Sequence, residues 1–270
     1  MAIQFGCCTQ VEYYDNLVRA GYDYIELGGK VVSAMSEQEF AETLRIVQAG
    51  PLPCRGLVSY CPPEIVIAGP GWSLPAAREY AQKCAARAGQ LGIQRVGIGC
   101  PLSRTLPDNY DRQLAFRQMA DFLAVTCQEF ARYGIDVCVE SLGYGNCNFI
   151  NTLEESAELQ KTVDMPNIKL ALDFYNLEQS NQPDVDIAPY MSHVAVVHMS
   201  DDEGLWRRNF FIPGKSAVHQ ERVRRLIALG YTGDISIEID VPVDTNAAQK
   251  SLFMLKYCEN RKNQEKINQY

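Results

Sequence analysis

Short apolar segments alternate with longer amphipathic segments along almost the whole chain. Eight apolar segments, each six or seven residues long, have the pattern of strands buried on both faces, as in a parallel sheet covered by helices. These predicted strands are Ile3–Cys8, Tyr22–Leu27, Cys54–Tyr60, Arg95–Cys100, Ile135–Ser141, Ile168–Asp173, Val194–Ser200 and Ile235–Asp240.

The segments between the strands have apolar residues at helical spacing and recognisable start and stop signals. Ser36 is a predicted helix cap, and Thr152 with Glu155 three residues later forms a capping box. Glycine follows several of these segments, as is typical of helix ends. The predicted helices are Glu12–Ala20, 36–48, Leu74–Leu91, Tyr110–Tyr133, Thr152–Val163, a short one at Val185–Met191, Gln220–Leu229 and Ala247–Cys258.

Eight consecutive strand–helix units in about 250 residues are typical of a TIM barrel. A doubly wound sheet is the alternative, but it usually has a phosphate-binding glycine loop after its first strand. The residues Gly6, Cys7 and Cys8 form no such loop. We therefore expect a single α/β domain over residues 1–270, a (β/α)8 barrel with a polar C-terminal tail at 259–270 that frays.

Four consecutive predicted strands end on a side chain that can bind a metal. These residues are Glu140, Asp173, His198 and Glu238, which are 33, 25 and 40 residues apart. The carboxyl ends of barrel strands meet at one mouth, so the four side chains are predicted to converge. Three carboxylates and one imidazole favour Mn²⁺ or Mg²⁺, with Co²⁺ and Zn²⁺ as alternatives. Carboxylates at this position also serve as plain substrate-binding groups, so the metal site depends on the joint pattern.

Composition and charge limit the classes of partner. Apolar residues make up 47% of the chain and charged residues 21%, which is ordinary for a globular protein with a core. The net charge of −8, without a cluster of Lys and Arg, argues against nucleic-acid binding. No apolar run has the roughly 20 residues that cross a bilayer, and the start has no signal-peptide pattern. We expect a cytoplasmic protein that does not bind membranes, whose ten cysteines are reduced core residues.

The strand-end residues also carry a family resemblance. Together with Leu229–Glu238, whose sequence LGYTGDISIE follows a G-Y-x-G-x-x-x-x-E pattern, they resemble the xylose isomerase-like TIM-barrel superfamily. The resemblance covers nearly the whole chain. It is closest to the branch of ketose 3-epimerases and related sugar phosphate isomerases and epimerases.

The resemblance implies an enzyme with one divalent metal, with Mn²⁺ as the first choice. It implies that Glu140 and Glu238 are both metal ligands and an acid/base pair. They would move the proton α to a ketose carbonyl through a metal-stabilised enediolate, giving epimerisation or isomerisation of a small sugar or sugar phosphate. A homo-oligomer is expected from the resemblance alone.

Four further residues are candidate substrate contacts. Asn176 stands where the epimerases have a substrate-binding histidine, three residues after the aspartate, and it can still bind a hydroxyl group. The arginine that follows the histidine ligand in the family corresponds to Arg207 or Arg208, and we assign it to Arg207. Glu26, at the end of the second strand, either belongs to the site or has an orienting structural role. Trp72, like Trp206, either walls a sugar ring or covers the barrel.

Other functions on the same scaffold remain open from the sequence. A keto-inositol dehydratase would use the same metal and the same proton abstraction, and a non-catalytic sugar-binding barrel would keep the scaffold alone. The DNA-repair endonuclease branch needs many histidines, and this chain has three. Of these, His193 and His219 are expected at the surface or at a helix cap.

Overall fold

Eight parallel strands of the computed structural model, which describes residues 3–202, 204, 207–212 and 214–259, close into a barrel. These strands are β1 Gln4–Thr9, β2 Tyr24–Gly28, β3 Cys54–Val58, β4 Arg95–Ile98, β5 Asp136–Glu140, β6 Ile168–Asp173, β7 Val194–Met199 and β10 Asp234–Glu238. Their order around the barrel is β1-β10-β7-β6-β5-β4-β3-β2. Each barrel strand therefore pairs with the barrel strands that precede and follow it in the chain, and β10 closes the barrel against β1. The predicted (β/α)8 barrel is confirmed.

Helices connect the strands and cover the outside of the barrel. They are α1 Tyr14–Ala20, α2 Gly29–Ala34, α3 Glu37–Ala49, α4 Leu74–Leu91, α5 Pro101–Arg104, α6 Arg112–Ala131, α7 Leu153–Val163, α8 Phe174–Gln179, α9 Ser216–Ala228 and α10 Thr245–Glu259. Two 3-10 helices, Val11–Tyr13 and Ala188–His193, and a two-stranded antiparallel sheet of β8 Asp201–Asp202 and β9 Arg208–Asn209 complete the described chain.

The helix predicted at Val185–Met191 is wrong in type and position. A six-residue 3-10 helix with Pro189 in its first turn occupies 188–193 instead. The short helices α2, α5 and α8 were not predicted, because six residues or fewer are too few to display a helical period. α2 and α8 begin directly after β2 and β6, and two residues separate α5 from the end of β4, so all three helices lie at the mouth.

The helix ends follow the predicted chemistry. Ser36 and Thr152 each form a complete capping box, with Glu39 and Glu155 respectively. Gly21 and Gly92 end α1 and α4 in the left-handed conformation, which glycine adopts without steric cost. These signals set the helix boundaries to within a few residues.

The strand register brings the polar strand ends side by side. Asp173 pairs with His198, and Cys8 pairs with both Glu26 and Glu238. Below these ends the strands pack on the helices through one extended apolar core. The nine cysteines with described side chains are all buried and free of disulfides, as expected. None of the helices in the described part of the chain combines the length and apolarity needed to span a bilayer.

Candidate active site

The structure brings the four predicted strand-end residues together at the barrel mouth. One ligand atom each from Glu140, Asp173, His198 and Glu238 lies within 4.8 Å of all the others. The first three residues are buried, and the side chain of Glu238 is 16% exposed. Glu140, Asp173 and Glu238 are the last residues of β5, β6 and β10, and His198 is the last but one residue of β7.

Several atoms of this cluster are buried without an aligned hydrogen bond. They are Oδ2 of Asp173, Oε2 of Glu238 and both ring nitrogens of His198. Buried polar atoms normally have well-aligned hydrogen bonds, so four such atoms without one at the same place need an explanation. Three carboxylate groups and one imidazole fit a hard divalent cation, which would supply that partner.

The raised pKa values of Glu140 and Glu238 reflect carboxylates that are crowded in a buried site. Burial raises the pKa of Glu140, and the charges of Glu238 and Asp173 raise it further. The pKa of Glu238 is raised as well, chiefly by burial. Close carboxylates in a buried site cannot all ionise without a compensating cation.

Arg208 supplies part of that compensation. Its Nη1 lies 2.7 Å from Oδ2 of Asp173 and 3.2 Å from Oε2 of Glu238, and it donates a hydrogen bond to Oγ of Ser200. The guanidinium also stacks over the ring of Tyr175, 4.5 Å from its centre. The structure therefore places Arg208 in the cluster.

Arg207, the arginine assigned from the sequence, does not join the cluster. Its side chain is exposed, and its Nε donates a long hydrogen bond to the carbonyl oxygen of Asp240. Successive residues of a strand point to opposite sides, and β9 turns Arg208 inward. The acidic insertion at Asp201–Asp202 hides this register in the sequence.

Glu26 lies behind His198 and is itself held by a buried network. Its Oε2 is 3.5 Å from Nε2 of His198, while its Oε1 accepts hydrogen bonds from Ser236 and Arg95. Arg95 also donates to Asp234 at 2.6 Å. With a proton on Nε2 directed at this carboxylate, Nδ1 of His198 would be the nitrogen that binds a metal.

The pKa of Glu26 is lowered and that of His198 is raised. Burial raises the pKa of Glu26, but the charge of Arg95 and the contacts of His198 and Ser236 outweigh burial and hold it well below its usual range. Burial lowers the pKa of His198, but its contact with Glu26 and the surrounding carboxylates raise it to about 9. Both shifts favour the charged pair when the metal is absent.

Asn176 holds Glu140 rather than facing solvent. Its Nδ2 donates to Oε1 of Glu140 at 2.7 Å, and its Oδ1 accepts from the backbone nitrogen of Gly143. The second oxygen of Glu140 lies against Gly99, where a Cβ atom would be 2.8 Å from it. The amide and the glycine together fix the direction of the Glu140 carboxylate.

Trp72 is half-buried, and its indole Nε1 is buried without a hydrogen-bond partner. It does not line the cavity that Glu238 and the ends of β1, β2 and β3 form at the barrel mouth. Trp206, the other predicted wall residue, lies outside the described residues. The predicted role of Trp72 and Trp206 at the mouth therefore stays a prediction.

His219 corrects the expectation of a surface or capping position, while His193 is exposed as expected. His219 is 1% exposed, its Nε2 donates to Oδ1 of Asp201 at 2.9 Å, and its ring stacks on Phe211 at 3.8 Å. The hairpin of β8 and β9 places Asp201 and Phe211 over α9, which the sequence pattern did not reveal.

A cavity of about 430 Å³ adjoins the cluster. Glu238 lines it, as do residues at the ends of β1, β2 and β3, including Cys8, Thr9, Lys30 and Ser59. Its size suits a small organic ligand. The candidate ligand set therefore adjoins, through Glu238, a space of the size that small ligands occupy.

Several solved structures share this architecture. A search of curated proteins finds no match. Among solved structures, a D-psicose 3-epimerase from Clostridium cellulolyticum H10 aligns with a TM-score of 0.75 at 17% identity, over 95% of this chain and 99% of that one. An L-ribulose 3-epimerase aligns with a TM-score of 0.73 at 16% identity, over the full length of both chains.

A 3-keto-D-glucoside 4-epimerase from E. coli aligns with a TM-score of 0.72 at 17% identity, over 95% of this chain and 100% of that one. At these identities the similarity establishes a shared fold. The model of the xylose isomerase-like TIM barrel family matches residues 14–258. The chain therefore belongs to the xylose isomerase-like TIM barrel family.

Proposed function

We propose that the protein is a divalent-metal-dependent sugar isomerase or epimerase that moves the proton next to a ketose carbonyl. The observation that carries the proposal is the buried cluster of Glu140, Asp173, His198 and Glu238, in which one ligand atom of each residue lies within 4.8 Å of all the others. Glu238 also lines the adjoining cavity. The epimerases among the structural neighbours support the reaction class.

The four residues would hold the metal, with Mn²⁺ as the first choice because the donor set is mainly carboxylate oxygen. When bound, the ion would polarise the substrate carbonyl as a Lewis acid. Glu26 would orient His198 toward it, and Asn176 would fix Glu140 through the hydrogen bond described above.

Glu140 and Glu238 are the proposed acid/base pair. They end β5 and β10, which are separated in the barrel by β6 and β7, so their carboxylates approach the site from different directions. One carboxylate would accept the proton from carbon and the other would return it. Return to the opposite face of the same carbon inverts the centre, and return to the neighbouring carbon gives an isomer.

Proton exchange at carbon tests this proposal. The protein is freed of metal with a chelator, reloaded with Mn²⁺ and incubated in D₂O with ketoses, keto-inositols and their phosphates. We expect metal-dependent deuterium incorporation, detected by NMR, with an epimer or isomer as product. A dehydrated product would assign the chain to the dehydratase alternative, and no exchange by protein with bound Mn²⁺ would contradict the proposal.

A further inference from the structure

Two cysteines lie side by side in the loops that follow β3 and β4. Cys61 comes three residues after the end of β3, and Cys100 comes two residues after the end of β4. The backbone nitrogen of Cys61 donates a hydrogen bond to Sγ of Cys100 at 3.3 Å, and the two thiols also interact with each other. Neighbouring barrel strands thus bring together two thiols that are 39 residues apart in the chain.

These two are the most exposed of the nine cysteines whose side chains the structure describes. Cys100 is 6% exposed and Cys61 is 4% exposed, and the other seven are between 0 and 3% exposed. Both lie beyond the ends of their strands, at the barrel mouth, rather than within the apolar core. A molecule as small as a peroxide therefore reaches them with little movement of the loops.

The surroundings make the two thiols chemically unequal. The hydrogen bond from the Cys61 thiol lowers the pKa of Cys100 most, and the Cys61 backbone and the charges of Arg104 and Lys30 lower it further, against the effect of burial. The same contact, together with burial, raises the pKa of Cys61. Burial also raises the pKa of six other thiols, those of Cys7, Cys8, Cys54, Cys84, Cys127 and Cys138. Because the thiolate is the reactive form, Cys100 is the more nucleophilic thiol of the pair.

We propose that Cys61 and Cys100 form a reversible redox site, which a peroxide oxidises to a disulfide. The Cys100 thiolate attacks one oxygen of hydrogen peroxide, the O–O bond breaks, and the products are a sulfenic acid and hydroxide, which takes up the proton that the thiol released. The Cys61 sulfur then attacks the sulfenic sulfur, and the S–OH oxygen leaves as water with the Cys61 proton. The two sulfurs together lose two electrons, and the peroxide becomes two molecules of water. A dithiol reductant reverses the reaction by thiol–disulfide exchange.

A disulfide at this place would act on Glu140. Gly99, which precedes Cys100, lies against Oε2 of Glu140, where a Cβ atom would be 2.8 Å from it. Cys100 also caps α5, whose Arg104 donates to the carbonyl oxygen of Glu140 at 2.8 Å. Bonding brings the sulfurs to about 2.05 Å, so the loop that contacts Glu140 must shift. This coupling to the metal ligands rests on the proposed function, whereas formation of the disulfide does not.

Peptide mapping tests the redox site directly. The reduced wild type is treated with hydrogen peroxide, alkylated and digested with trypsin, which places Cys61 in the peptide 56–78 and Cys100 in the peptide 96–104, each with no other cysteine. We expect the two peptides to be joined, and to separate after reduction with dithiothreitol. Cys147→Ser, which removes another buried cysteine in a loop at the mouth, should form the same link. Absence of the link, or equal oxidation of the other cysteines, would overturn the proposal.

Two variants separate the roles of the thiols. In Cys61→Ser the sulfenic acid of Cys100 has no thiol to react with, so dimedone should label it. In Cys100→Ser we expect roughly tenfold less dimedone label at Cys61, whose thiol is the less reactive one. Equal labelling of the two variants would contradict the assignment of Cys100 as the attacking thiol.

Mn²⁺ binding tests the coupling to Glu140. The oxidised and reduced wild-type proteins are freed of peroxide and reductant and titrated by calorimetry. We expect the affinity for Mn²⁺ to be roughly tenfold weaker in the oxidised protein and to recover on reduction. A disulfide that leaves Mn²⁺ affinity unchanged would overturn the coupling. A protein that forms the disulfide but binds no Mn²⁺ in either state would support the redox site and contradict the proposed function.

Discussion

At the scale of single residues, the sequence identified the groups of the candidate site better than their partners. Glu140, Asp173, His198 and Glu238 were predicted to converge because each follows an apolar strand, and the structure brings them together. The partners that orient them, such as Arg95 and Ser236, lie within strands and give no local signal. Only the closed barrel brings their side chains to Glu26.

The contact between Glu26 and His198 predicts a role in metal affinity. In Glu26→Gln the ring of His198 faces a neutral amide, which weakens the orientation and the basicity of the imidazole. We expect Mn²⁺ affinity to fall roughly 10- to 100-fold, measured by calorimetric titration. Glu158→Gln, on the exposed face of α7, is the matched control and should bind Mn²⁺ like the wild type. Unchanged affinity in Glu26→Gln would show that Glu26 is only a structural partner of Arg95.

The raised pKa values of His198 and Glu140 predict that metal binding releases protons. A raised pKa means that the group keeps its proton to a higher pH, so at pH 7 the metal must displace it. Apparent Mn²⁺ affinity should therefore rise with pH until the pKa of His198, about 9, is passed. Calorimetry in buffers of different ionisation enthalpy should show at least about one proton released per Mn²⁺ near pH 7. Binding without proton release would contradict these protonation states.

At the scale of elements, strands and long helices were predicted to within a few residues, and the short elements at the mouth were not. Apolar periodicity reports burial over a full strand or several helical turns, and α2, α5 and α8 are too short to show it. The hairpin of β8 and β9 is shorter still, yet it decides that Arg208 rather than Arg207 enters the cluster. The elements that the pattern misses are thus the ones that shape the site.

At Gly99, in the loop after β4, the addition of one methyl group is expected to affect Glu140. A Cβ atom at Gly99 would lie 2.8 Å from Oε2 of Glu140, whereas one at Gly97 would meet its nearest neighbour at an ordinary 3.6 Å. Gly99→Ala should displace the Glu140 carboxylate and lower kcat about 100-fold, because small misplacements of a reacting group cost that much. Gly97→Ala should keep both activity and melting temperature near the wild-type values. Equal activity of the two variants would show that Glu140 tolerates displacement.

At the scale of the whole molecule, the number and spacing of the strand–helix units were enough to predict the barrel. The absence of a phosphate-binding glycine loop after the first strand favoured the closed barrel over a doubly wound sheet, and the closed parallel strand order agrees with that reasoning. The substrate could not be predicted in the same way, since a fold hosts many reactions and the cavity is built from loops of several units. A cytoplasmic location and a homo-oligomeric state stay predictions from the sequence.

The most direct test of the account is deuterium exchange from each partner of an interconverting sugar pair, measured separately in Glu140→Gln and Glu238→Gln with equal bound Mn²⁺. If the two carboxylates serve opposite faces, both variants lose interconversion. One variant then keeps proton exchange from the first sugar only, and the other keeps it from the second only. Wild-type interconversion in either metal-loaded variant would contradict the assignment of Glu140 and Glu238 as the acid/base pair.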